Sequence, residues 1–220
     1  MGLLIDLEGI DGAGKTTVAQ ALVESLGPSR VRMVHHKELG SEQSTEARLL
    51  RQLIWPAAES SLSLLPSRTR VLLHAAWMVL MSEQVLAPLL AGDEIVVVDG
   101  WMHKMLARLV VDGYSEPYLR EVFQGVTPPQ LVVLLDPGAE LVWERATGSG
   151  RKFGAVEMGK YAGYPVLGRD SYLDYQSRFV SQLRSSLADA RIPVLEIRED
   201  LSVAATCEVI ERAIGNAARS

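Results

Sequence analysis

The ten residues from Glu8 to Thr17, Glu-Gly-Ile-Asp-Gly-Ala-Gly-Lys-Thr-Thr, hold the densest chemistry in the chain. Gly9 and Gly14 bracket four residues, and Lys15 and Thr16 follow, which is the spacing of a phosphate-cradling loop. Glycines at these positions let the backbone turn so that successive N–H groups face phosphate oxygens. The helix that follows such a loop adds the positive end of its dipole. Lys15 is placed to reach β- and γ-phosphates, and the Thr16 hydroxyl to hold Mg²⁺. The expected ligand is a nucleoside triphosphate, bound by Gly9, Asp11, Gly12, Ala13, Gly14, Lys15, Thr16 and Thr17.

Magnesium on phosphate also wants a carboxylate at the end of a neighbouring strand. Two candidates exist, Asp99 after Ile-Val-Val-Val and Asp136 after Leu-Val-Val-Leu-Leu. Asp99 is assigned to the metal with Thr16. Asp136 reads equally well as a turn residue, because Pro137-Gly138 follow at once.

These residues need a strand before the loop and a helix after it. Leu-Leu-Ile-Asp-Leu-Glu-Gly, ending at Gly9, suits a buried parallel strand. Lys15 to Leu26 carries Val18, Ala21, Leu22 and Leu26 at helical spacing, and Gly27-Pro28 stops it. Strand patterns recur at residues 30–36, 94–100, 128–138 and 192–197. Helical patterns fall between them, including one capped by Ser44 or Thr45, a long apolar one from Arg70 to Leu90, and an amphipathic C-terminal one. Residues 56–67 read as a surface connection. The Gly-, Lys- and Arg-rich stretch following Trp143 to Thr147 reads as mobile. The alternation predicts one α/β domain over residues 1–220: a doubly wound, parallel, five-stranded sheet with helices on both faces and a small lid at about 146–168.

Composition narrows the function classes. The chain has 220 residues, 48% of them apolar, enough for one substantial core. A formal net charge of −5 speaks against a general nucleic-acid surface. The single cysteine, Cys207, excludes an intrachain disulfide and reads as a buried small hydrophobe. The first ten residues contain Asp6 and Glu8 and no cationic start, which is not a secretory leader. No apolar run approaches the roughly 18 residues of a membrane span. The expectation is a cytoplasmic protein without a membrane partner. His35, His36 and His103 lack neighbouring carboxylates or thiols in sequence, so no metal site is expected at them.

The loop and its setting resemble the start of thymidylate kinases, and the resemblance continues over most of the chain. Lys37-Glu38-Leu39-Gly40-Ser41 sits where that family carries Arg-Glu-Pro-Gly-Gly. Val71 to Met78 falls at its Leu-Leu-Phe-x-Ala-x-Arg segment, and Glu94 to Gly100 at its strand ending in Asp-Arg. Residues 128–145 are similar to its Pro-Asp-Leu run leading into a Glu-Arg helix and a basic lid. The resemblance implies a P-loop nucleotide kinase that uses ATP and Mg²⁺ and forms homodimers through long helices. It implies that Asp11 contacts the acceptor sugar or organises the metal, and that Arg145, Arg151 or Lys152 closes over the transferred phosphate. Lys15, Asp11, Arg145 and Arg151 are thus the catalytic candidates.

The departures concentrate on the acceptor. Gly100 stands where the family has a phosphate-binding Arg, Met78 where it has a base-reading Arg, His74 where it has a stacking aromatic, and Lys37 where it has an Arg. Lys104, one helical turn past Gly100, or Arg70 could supply the missing cation, and Trp77 and Trp101 could wall a ring. The acceptor site is therefore assigned to Lys37, Glu38, Arg70, His74, Trp77, Met78, Asp99, Trp101 and Lys104. Three readings follow. The chain phosphorylates a nucleoside monophosphate (thymidylate or an analogue) through substitute contacts. Or it phosphorylates a free hydroxyl on a nucleoside or other small metabolite, with Glu38 or Asp11 as base. Or it is a nucleotide-binding regulatory protein without acceptor chemistry.

Overall fold

Strand β1 (Leu3–Glu8) is covered on both faces. Ile5 and Leu7 point to one apolar layer and Leu4 to the other, while Asp6 and Glu8 continue the Leu4 face. The computed structural model describes residues 2–37, 45–55, 66–198 and 200–217. Four more strands, β2 (Val31–Val34), β3 (Ile95–Asp99), β4 (Leu131–Leu135) and β5 (Val194–Ile197), run parallel to β1 in the order β2-β3-β1-β4-β5. From β1 the chain crosses to the edge strand β2, returns to β3 beside β1, and then continues on the other side through β4 and β5, so β1 is the central strand at which the sheet changes sides. The loop after β1 opens at that point, on the carboxyl edge of the sheet. This is the predicted architecture.

Helices α1 (Lys15–Leu26) and α9 (Val203–Ala217) cover the Ile5 face, where Val18, Leu22, Cys207, Ile210 and Ile214 pack on Leu7, Val97 and Val133. Cys207 is buried there, as its pattern predicted. The other face carries α2 (Thr45–Ile54), α3 (Ser67–Met81), α4 (Ala87–Leu90), α5 (Met102–Val111), α6 (Glu116–Val122), α7 (Ala139–Gly148) and α8 (Arg169–Ala190). The predicted Ser44 cap and most of the connection at 56–67 lie outside the described residues.

The long apolar helix spans Ser67–Leu90, with a π-helical turn at Ser82–Leu86 joining α3 to α4. Pro88 lacks the N–H that a regular helix would donate to Gln84, and the wider turn before it accommodates the ring. The Ser82 hydroxyl donates to the Met78 carbonyl and accepts from the Thr127 amide, tying the turn down. The 24 residues of this helix include an 18-residue window of mean hydropathy 1.3, long and apolar enough by length and composition to cross a membrane, although no uninterrupted apolar run in it approaches that length. Its Val71, Ala75, Trp77, Met78, Met81 and Leu86 are spent on the protein core.

Candidate active site

The loop is held by its glycines. Gly9, Gly12 and Gly14 have φ of 138°, 96° and 94°, conformations that side chains resist. A Cβ on Gly9 would stand 2.2 Å from the Leu135 carbonyl oxygen, so the loop can pass the end of β4 only as glycine. A Cβ on Gly12 would meet the Arg151 guanidinium at 2.7 Å. The Lys15 ammonium donates to the Gly9 and Ile10 carbonyls at 3.0 and 2.8 Å. Burial, then repulsion from Lys104, lowers its pKa to about 7 against the pull of Asp11, Asp99 and Glu8. Thr16 Oγ1 donates to Asp99 Oδ2, so the hydroxyl and carboxylate assigned to the metal are in contact. Asp136 instead accepts from Arg184 and from the Gly138 amide, the turn role open to it in sequence.

Asp11 faces α5. Lys104 Nζ donates to its Oδ1 at 2.6 Å, and Arg108 donates to its Oδ2. Burial alone would raise this carboxyl, but Arg108, Lys104 and Lys15 together hold it well below the usual carboxylate range. The helix that presents these cations is capped from β1. No side chain of α5 caps its own N-terminus. Glu8 Oε1 accepts from the Trp101 and Lys104 amides at 3.4 and 2.9 Å in its place. Lys104, Arg108 and Asp112 then follow at four-residue spacing along one face.

That face lines a cavity of about 800 Å³ that runs from the loop toward α3 and the stretch between α7 and α8. Among the described residues its wall holds six cations (Lys15, Lys37, Arg70, Lys104, Arg108 and Arg151) and four carboxylates (Asp11, Asp99, Asp112 and Glu157). His74, Trp77, Met78 and Trp101 are in the same wall, so the acceptor residues picked from sequence converge. Glu38 lies outside the described residues. Trp77 and Trp101 are almost fully buried, and their indole N–H groups donate to the His36 and Thr127 carbonyls. They form the wall as fixed core residues. His74 Nδ1 donates to the Arg70 carbonyl, and Trp55 stands edge-on to His36, His74 and Trp77. His36 Nδ1 donates to the Asp99 carbonyl, and burial lowers its pKa to about 3, which keeps this ring neutral.

The two lid arginines separate. Arg151 lies over Gly12 at the cavity mouth, tied to Glu157 at 2.7 Å. The Glu157 carbonyl in turn accepts from Gln176 of α8. Lys152 is exposed and does not line the cavity. Arg145 is one of the three cations that the resemblance offers for the transferred phosphate. It instead pairs with Asp200 and lines a hollow of about 120 Å³ on the other side of the loop, with Ala13, Gly14, Pro137 and Thr206. Val142 and Ala146 form the buried face of α7, which leaves Arg145 on another side of the helix, toward Asp200.

Sequence reasoning missed Arg108, Asp112, Trp55, Tyr161 and Tyr175. The four-residue spacing of Lys104, Arg108 and Asp112 was a readable signal for the first two. The others come from separate elements, with Tyr161 standing 3.9 Å from the Arg70 guanidinium.

A glycine-cradled loop at the switch point of a five-stranded parallel sheet, with a hydroxyl–carboxylate pair and a cationic cavity beside it, defines a P-loop phosphotransferase of the nucleotide kinase class. The thymidylate kinase family model matches residues 7–159, and the chain belongs to that family. It is accordingly an ATP-dependent kinase. Thymidylate kinase from Geotalea daltonii is 33% identical over 153 residues, which is 66% of this chain and 68% of the relative. Probable thymidylate kinase from Thermococcus onnurineus is 26% identical over 213 residues, 96% of this chain and all of the relative. Thymidylate kinase from Xanthomonas campestris pv. campestris is 36% identical over 149 residues, 67% of this chain and 62% of the relative.

Proposed function

We propose that the protein transfers the γ-phosphoryl group of ATP to the phosphate of thymidylate or a closely related nucleoside monophosphate. The observation that carries this reading is the group of cations on the acceptor side of the loop. Lys104 and Arg108 reach the cavity from α5, and Lys37 and Arg70 flank it. A monophosphate brings about two negative charges, and their burial needs cations of this kind. Arg presents paired donors to phosphate, while Lys acts as a point charge.

In the reaction an acceptor phosphate oxygen bonds to the γ-phosphorus while the bond to the β–γ bridging oxygen breaks, and ADP leaves. The acceptor oxygen is already anionic and needs no base. An uncharged hydroxyl would need one; Asp11 is a poor base because Arg108 and Lys104 hold its pKa well below the usual carboxylate range, and Glu38, the other candidate, lies outside the described residues. This favours the phosphorylated acceptor.

The loop N–H groups and Lys15 bind the donor phosphates, and Arg151 sits where it can cover the γ-phosphoryl group. The donor's nucleoside end is assigned to the hollow beside Arg145, whose planar guanidinium can stack on a base. Thr16 and Asp99 offer hard oxygen donors in mutual contact, which suits Mg²⁺. When bound there, Mg²⁺ neutralises charge on the β- and γ-oxygens.

We further propose a cytoplasmic location and a symmetric homodimer formed through the exposed side of α3, where Leu72 is half-exposed. An acceptor screen with ATP and Mg²⁺, scored by ADP release, tests the function. Turnover with nucleoside monophosphates, thymidylate foremost, is expected. Turnover with nucleosides alone would overturn the reading.

A further inference from the structure

Beneath α5, on the side away from the cavity, three ionisable side chains meet, with four of their polar atoms lacking a hydrogen bond. Asp6 and Glu8 are alternate residues of β1 and so point to the same face. Asp6 stands in register between Val98 of β3 and Val132 of β4, an apolar setting for a carboxylate. His103 reaches the same point from the first turn of α5. Asp6 and Glu8 are fully buried and His103 is 4% exposed. Among the described residues, both Asp6 carboxylate oxygens, Glu8 Oε2 and His103 Nδ1 have no hydrogen-bond partner, and His103 Nδ1 stands 3.7 Å from Asp6 Oδ2. The sequence expectation that His103 lacks carboxylate company is thus corrected by the fold, since the two acids are about a hundred residues away along the chain.

We propose that Asp6, Glu8 and His103 form a binding site for a divalent transition metal, Zn²⁺ by preference, distinct from the Thr16–Asp99 pair.

The ligand atoms lie within 4.8 Å of one another, so some point is within about 2.8 Å of all three. Contraction by less than about 1 Å reaches the roughly 2.0–2.2 Å of zinc–nitrogen and zinc–oxygen bonds. One imidazole with two carboxylates selects Zn²⁺ over Mg²⁺ or Ca²⁺, which prefer all-oxygen ligands. The second oxygen of Glu8 is already fixed by the Trp101 and Lys104 amides, as an outer shell fixes a ligating carboxylate. A dication also offsets two anions that burial otherwise disfavours. The ion would fasten α5, with Lys104 and Arg108, to the strand that opens into the loop. The site does not rest on the proposed acceptor chemistry.

Elemental analysis tests it on the full-length chain, made in zinc-supplemented medium and purified without nucleotide or a metal-affinity step. Close to one zinc per chain is expected in wild type and in Asp99→Asn, and less than a tenth of that in the double variant Asp6→Asn, His103→Gln. Zinc-free wild type, together with a melting temperature unmoved by added Zn²⁺, would overturn the proposal. So would loss of the zinc in Asp99→Asn, which would place it at the nucleotide. Should the double variant fail to fold, X-ray absorption on zinc-loaded wild type decides. An imidazole in the first shell is expected, and an all-oxygen or sulfur shell would contradict it.

Discussion

Lys104 lies across Gly100. A Cβ built on Gly100 would stand 2.9 Å from Lys104 Cδ and 3.5 Å from its Nζ, so the lysine chain fills the space a side chain at position 100 would enter. The family resemblance puts an acceptor-binding Arg at that position. In the proposed function Lys104 supplies that cation from one turn further on, carried by α5 and paired with Asp11.

Restoring the family residue should therefore harm the protein. Gly100 has φ of 74°, where an L side chain is strained, and the new chain would displace Lys104. Gly100→Arg is expected to lose on the order of 1–3 kcal/mol of stability in urea unfolding, without gain in acceptor affinity. A variant as stable as wild type with a lower acceptor KM would contradict this.

On the donor side, Lys15→Ala and Asp99→Asn remove a phosphate ligand and a partner of Thr16. Lys15→Ala should reduce kcat by two orders of magnitude or more, and Asp99→Asn by about tenfold or more. Steady-state ADP release measures both. Turnover within a few-fold of wild type for Lys15→Ala would remove the loop from the mechanism.

How much of this was legible in sequence follows from how local each feature is. The loop, β1, α1 and Asp99 are written in contiguous stretches, and periodicity alone gave the five strands. The Asp11 bracket was not, because Asp11 and Arg108 are joined only when α5 crosses the loop. Arg145 faces Asp200 because α7 turns Val142 and Ala146 into the core, a rotation set by packing that the sequence around it does not spell out. The meeting of Asp6, Glu8 and His103 needed the register of β1 under α5. His74 and Met78 were reached through the family resemblance, and both line the cavity because four-residue spacing from Arg70 puts them on one face of α3.

Asp112 gives a pH test. Burial raises its carboxyl to about 6 from 3.8, with Tyr175, Arg108, Arg70 and Arg178 opposing. The folded protein then binds more protons than the unfolded chain between about pH 4 and 6. Stability from this group is present at low pH and lost as pH rises through that window. Asp112→Asn removes the loss. Relative to wild type, it should gain on the order of 1 kcal/mol in urea unfolding between pH 4 and pH 7. An equal difference at both pH values would contradict it.

Association is tested by light scattering at micromolar concentration. A homodimer through α3 gives about twice the 24.1 kDa chain mass, and Leu72→Glu on the exposed side should shift it toward monomer. A wild-type mass near 24.1 kDa would contradict the dimer.

The central claim is that α5 supplies the acceptor cations that position 100 lacks. Its most direct test is the pair of KM values, for thymidylate and for ATP, in wild type, Lys104→Met and Arg108→Met. The account expects the thymidylate KM to rise about tenfold or more in each variant while the ATP KM stays within about threefold. Unchanged thymidylate KM values in both variants would contradict it.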